Sequence, residues 1–140
     1  MMVLDTNVVS EMMKDTPETA VVAWLRQQPK ASIWITSVTV FEVQYGLGLM
    51  AAGAKQKLLV AAFDELLATD LKGHILPFDT AAAGKAATLM ANRRKAGKPL
   101  GAPADGLIGG IVLARKAMLA TRNVRHFRGT GVKLIDPWTS

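Results

Sequence analysis

Along this chain, short apolar runs alternate with longer stretches whose apolar residues recur every three or four positions. MMVL (1–4), SIWIT (32–36), HILPF (74–78), MLATR (118–122) and VKLID (132–136) are too short for helices. Their aliphatic, β-branched and aromatic content predicts buried strands. Between them, TPETAVVAWLRQQPK predicts a helix with Thr16 as cap, Pro17 at its first position, Val21, Trp24 and Leu25 on one face, and Pro29 as its stop. Ser37 can cap a helix through VTVFEVQYGLGLM, with Phe41, Tyr45 and Leu49 at four-residue spacing. A further helix spans about Lys55 to Leu67, with Leu59, Phe63, Leu66 and Leu67 on its apolar face. Asp79 opens the alanine-rich TAAAGKAATLMANRRK, which stops near Gly97 and Pro99, and PADGLIGGIVLARK is a last helix with Pro103 in its entry turn. Strands separated by helices mean an α/β fold: one domain over 1–140, with a mostly parallel central sheet of four to five strands flanked by helices.

In such sheets ligands bind outside the carboxyl ends of the strands. Asp5 lies at one such end, where MMVL stops abruptly at Asp5, Thr6 and Asn7. An aspartate there can cap the next helix or serve a site, and the stretch alone leaves both readings open. Two other carboxylates can reach the same edge. Glu42 lies about two turns into the helix after SIWIT, with Gly46 on the same face to admit another segment closely; Asp105 stands in the first turn of the PADG helix. Thr121, Arg122, Asn123, Arg125 and His126 fall in the loop leaving the MLAT strand, where hydroxyl and amide groups can support a site and arginines can hold phosphate.

Composition narrows the chemistry. There is no cysteine and there are only two histidines, His74 and His126, which excludes disulfides and thiolate sites and argues against zinc. No apolar stretch reaches the roughly 18–20 residues of a membrane helix, and no secretory leader is evident, so the expected location is cytoplasmic with no membrane partner. Residues 1–84 carry six Lys or Arg against nine Asp or Glu, whereas residues 85–140 carry eleven against two. That asymmetry suits an anionic partner such as nucleic acid. Arg93, Arg94, Lys95 and Lys98 suit RNA contact and a helix C-terminus alike. Three carboxylates at one edge stay ionised together only if a cation offsets them, and oxygen ligands match hard Mg2+ or Mn2+. An acidic metal site in basic surroundings points to a nuclease.

VLDTNVVSE, TSVTVFEVQYGL, PADGLIGGIVLA and LATRNVRHFRGTGVKLIDPW together resemble the PIN-domain ribonucleases, and within them the toxin subunits of VapBC-type toxin–antitoxin pairs, including the FitB-like branch. The resemblance runs nearly end to end. It implies a PIN-like fold and a Mg2+- or Mn2+-dependent endoribonuclease that acts as a toxin on RNA, forms a homodimer and is inhibited by a VapB-type antitoxin. Motif by motif, Asp5, Glu42 and Asp105 would be the catalytic, metal-holding carboxylates. Thr6, Asn7, Thr121, Asn123 and His126 would support them, and Arg122 and Arg125 would bind RNA. One position departs from the pattern: relatives with a TRNxxDF loop carry an aspartate where this chain has His126, which implies one firmly held ion with any second recruited by substrate. Two rival readings stand beside this one. A catalytically weak PIN-like module could bind nucleic acid within a toxin–antitoxin complex; a small-molecule phosphohydrolase is disfavoured by the basic second half and the lack of a Gly-rich phosphate loop.

Overall fold

The computed structural model describes residues 1–140, and all five apolar runs form strands: β1 Met2–Leu4, β2 Ile33–Thr36, β3 Ile75–Leu76, β4 Met118–Ala120 and β5 Lys133–Ile135. Every pairing is parallel, in the order β3-β2-β1-β4-β5. The chain builds outward from β1 to β3 on one side, then returns to build β4 and β5 on the other. The direction of winding therefore reverses between β1 and β4, and a crevice opens beyond their carboxyl ends.

Seven helices cover the sheet: α1 Thr6–Met12, α2 Thr19–Gln27, α3 Ser37–Leu49, α4 Ala54–Ala68, α5 Thr80–Lys95, α6 Pro103–Ala114 and α7 Val124–Phe127. Successive strand residues face opposite sides, so each strand feeds two cores. Val3 and Leu119 pack with Ala82, Leu89, Ile108, Ile111 and Phe127 under α5 and α6. Leu4, Ile35 and Ala120 pack with Val8, Trp24, Val43, Leu47 and Phe63 under the earlier helices. No helix is long and apolar enough to cross a membrane.

Several local expectations are corrected. Helix α2 begins at Thr19 rather than Pro17, because the Glu18 N–H is drawn to Glu11 Oε2 at 3.0 Å and the entering residues stay outside the helix. Thr36, not Ser37, caps α3: its hydroxyl accepts from the Thr39 N–H at 3.1 Å. The four-residue series Phe41, Tyr45 and Leu49 turns out to lie on the outer face of α3, 63%, 60% and 70% exposed, while Thr39, Val43 and Leu47 of the same helix are buried. A Cβ on Gly46 would meet nothing within 4 Å, so no segment of this chain uses that space. The loop after β4 contains a helical turn, α7, and a further short turn covers Lys30–Ser32. Other expectations hold. Asp79 caps α5 by accepting from the Ala82 N–H at 2.9 Å. Just past the end of α5, Gly97 stands at φ 73°, with the Gly97 and Lys98 N–H groups donating to the carbonyls of Arg94 and Arg93.

The tightest packing lies between α5 and α6. A Cβ on Gly110 would stand 2.5 Å from the Ala86 Cβ and 2.6 Å from the Ala82 carbonyl; one on Gly106 would meet the Met90 Sδ at 2.4 Å. Ala82 and Ala86 are buried at this seam, whereas Gly84 faces open space. Gly110→Ala should therefore destabilise the fold by about 1–3 kcal/mol through overpacking, despite alanine's better helix propensity. Gly84→Ala, which meets nothing, should stabilise it by about 0.5–1 kcal/mol. Urea unfolding of the two variants checks this, and shifts of the same sign would show that the seam does not require glycine.

Candidate active site

Asp5 follows the last residue of the central strand. Its backbone N–H donates to the Ala120 carbonyl at 2.9 Å, so it is tied to the end of β4 just as the two strands finish. The side chain is 3% exposed. Its Oδ1 accepts from the Thr6 N–H at 2.8 Å and its Oδ2 from the Thr121 hydroxyl at 2.7 Å. Asp5 is therefore the N-cap of α1, and it also lines a pocket. Asn7 fastens the β1 and β4 ends together. Its amide donates to Thr121 Oγ1 at 3.3 Å, and its Oδ1 accepts from the Arg122 N–H at 3.2 Å. Thr121, fully buried, also accepts from the Asn123 N–H at 3.0 Å.

Glu42 arrives from α3, where its Oε1 accepts from the Thr6 hydroxyl at 2.6 Å. Behind it stand two fully buried hydroxyls, with Thr39 Oγ1 3.0 Å from Thr6 Oγ1 and the Thr36 hydroxyl donating to Thr39 at 3.5 Å. Asp105 arrives from the first turn of α6, and His126 of α7 meets its Oδ2 through Nδ1 at 3.3 Å. Asp5, Glu42 and Asp105 come from three separated segments onto one cavity of about 420 Å³. Thr6, Asn7, Arg122 and Asn123 line it too. Of the remaining sequence candidates, Thr121 lies buried behind Asp5, His126 touches Asp105 from outside the cavity, and Arg125 is solvent-exposed on α7 and forms no ion pair.

Pattern reading missed four lining residues: Ser10, Glu11, Lys14 and Trp138. Glu11 is only 4% exposed, and its carboxylate accepts from the Lys14 ammonium at 2.8 Å and the Glu18 N–H at 3.0 Å. Lys14 foremost, then the Glu18 N–H, holds that carboxyl below its ordinary range. Asp5 is the opposite case. Burial pushes its carboxyl up to about 6, against the pull of the Thr121 and Thr6 hydrogen bonds, and the charges of Asp105 and Glu42 add to the rise.

This donor set suits a hard divalent cation. A cation at the cavity would relieve the repulsion among the three acids and the desolvation of Asp5 at once. No three His, Cys, Asp or Glu side chains lie close enough together to cage an ion alone.

The PIN domain profile matches residues 2–132. A VapC ribonuclease of Sinorhizobium fredii is 38% identical over 138 residues, 99% of this chain and 98% of that protein. Toxin FitB of Neisseria gonorrhoeae is 32% identical over 99% of both chains. The crystal structure of FitAcB from Neisseria gonorrhoeae superposes with a TM-score of 0.92 at 31% identity, covering 100% of each chain.

The Asp5 carboxyl sets a pH dependence. Unfolded, it releases its proton near 3.8; folded and without a cation, near 6. Between those values the folded state binds more protons, so its stability falls as pH rises, by up to about 3 kcal/mol in all. Asp5→Asn should remove this loss. In chelator the variant should unfold at higher temperature than the parent at about pH 7.5, and the gap should close toward about pH 4. Melting curves across that range measure it; a gap independent of pH would show that the Asp5 carboxyl is not the titrating group.

Proposed function

This chain belongs to the PIN-domain family, in its VapC and FitB toxin branch, and from that membership and the acidic cavity we propose a divalent-metal-dependent endoribonuclease that is the toxin of a two-component toxin–antitoxin pair. The observation that carries the reading is the convergence of Asp5, Glu42 and Asp105 on one cavity at the switch point of the sheet.

In this reading the three carboxylates hold Mg2+ or Mn2+. The ion, when bound, would activate water for attack on phosphorus and offset the charge that builds on the phosphodiester oxygens. The chain's own residues fix the geometry. Thr121 and the Thr6 N–H hold the two oxygens of Asp5 apart; the Thr6 hydroxyl fixes Glu42; His126 orients Asp105. These contacts give each carboxylate a fixed partner at the cavity, from which the three would draw together on the ion. Arg122 at the rim and Arg125 on the exposed α7 take up phosphates of the RNA on either side of the cleaved bond.

Partners follow from the surface. A second cavity of about 720 Å³ adjoins the acidic one and shares Thr6, Ser10, Lys14 and Glu42 with it, but its other walls include Met13, Val43, Leu47, Leu58 and Leu59. An antitoxin segment seated in that apolar groove would end at the carboxylates and shut them off. The exposed Phe41, Tyr45 and Leu49 on α3, with the Phe41 and Tyr45 rings stacked at 5.6 Å, supply further apolar surface for an antitoxin or a second copy of the chain.

The test is cleavage of total RNA and of a tRNA pool by the purified chain freed of any antitoxin, with Mg2+, with Mn2+ and with chelator. Discrete cleavage should require the metal and fall by about 100-fold or more in Asp5→Ala. Salt-sensitive RNA binding without metal-dependent cleavage would instead make this a binding module, and cleavage equal in parent and variant would remove Asp5 from the mechanism.

A further inference from the structure

Only two cationic side chains face the acidic cavity, Lys14 and Arg122, and they are held differently. Lys14 is engaged by Glu11 at 2.8 Å. Arg122 forms no ion pair, although four carboxylates line the same cavity. Its backbone is fixed by the Asn7 side chain, and its guanidinium carbon lies over the Trp138 ring, 5.1 Å from the centroid. Trp138 is itself anchored: its backbone N–H donates to Asp136 Oδ1 at 2.9 Å, and the residue is half-buried against the core that includes Leu4 and Ala120. The indole Nε1 is buried with no acceptor, so the ring contributes through its face and not as a donor.

The distinction matters chemically. A guanidinium that pairs with a carboxylate spends its in-plane N–H groups on that partner, whereas one stacked on an aromatic face keeps all of them free in the plane. An arginine released beside four acids would be drawn onto them. We propose that Trp138 is a positioning residue: it holds Arg122 over the acidic cavity with its donors free, so that Arg122 grips the phosphate next to the one cleaved. The proposal rests on the endoribonuclease reading.

The test uses the full chain. RNA affinity is measured from about 50 to 200 mM salt in an Asp5→Asn background, where the RNA stays intact, and KM and kcat are measured in the otherwise unaltered chain. Trp138→Leu, or Trp138→Met where leucine is not tolerated, should weaken RNA binding about two- to fivefold. It should also lower the slope of log affinity against log salt by about 0.7, the equivalent of one phosphate contact on a single strand. KM should rise while kcat stays near the parent value. Trp138→Phe should restore most of the loss, because the indole N–H it lacks has no partner here. Arg122→Gln should produce the same loss, and adding Trp138→Leu to it should change nothing more. Parent-like affinity and slope in Trp138→Leu, or losses that simply add in the double variant, would overturn the proposal alone. A parent chain that neither binds nor cleaves RNA would remove the endoribonuclease reading and this proposal with it.

Discussion

A carboxylate placed in near-complete burial at the end of the central strand is the constraint around which the crevice is organised. Left in water Asp5 would cost nothing; here its charge is desolvated, and burial pushes its carboxyl up to about 6. The surrounding hydrogen bonds answer that cost only in part. Thr121, the Thr6 N–H and the amide of Asn7 all belong to the segments that leave β4 and β1, so the groups that steady the acid also tie the two strand ends together. Fixing the charge and fixing the crevice are one arrangement. What those hydrogen bonds leave uncompensated is the part that a cation at the cavity would supply.

The sheet order explains why three distant carboxylates meet. With β1 between β2 and β4, the elements that follow all three strands start from the same edge. Helix α3 brings Glu42 from one side, α1 lends Thr6 as a bridge to it, and β4 brings Thr121 from the other. Asp105 is the exception: it precedes β4 and reaches the edge because α6 runs back along the sheet with its first turn at the crevice. Its position is therefore set by helix packing rather than by a strand end.

Much of this was legible in the sequence because it rests on local patterns. Five short apolar runs between helical stretches can hardly form anything but a parallel sheet, and an acid after such a run falls at a strand end. Asp5 could be nominated for that reason, and Glu42 and Asp105 from their places in the helices that start at the same edge; the three do share a cavity. What escaped depends on contacts remote in sequence. Helix α3 is apolar around most of its circumference, so the spacing of Phe41, Tyr45 and Leu49 could not tell the inner face from the outer. Glu11 and Lys14, three residues apart, look like an ordinary surface pair until α1 is laid along the crevice. Trp138 lies in the final residues with no periodicity around it; its meeting with Arg122 comes from β4 and β5 pairing side by side. Helix α2 starts late because Glu11 reaches forward to the Glu18 N–H, a contact with no local signature.

The seam between α5 and α6 gives an unexpected weight to the blandest part of the chain. The run of alanines after Asp79 has the composition of filler, yet Ala82 and Ala86 lie flush against Gly110 while Ala81 and Ala87 look outward. Mutational tolerance along this stretch should alternate with the turn of the helix, free on one side and confined to the smallest residues on the other. The confined positions never touch the cavity. They set how far α6 stands from α5, and so where Asp105 comes to rest; a drift of one methyl group there would be read at the carboxylates as a change of span. The acids are thus carried on a joint with no room to spare, one methyl group thick.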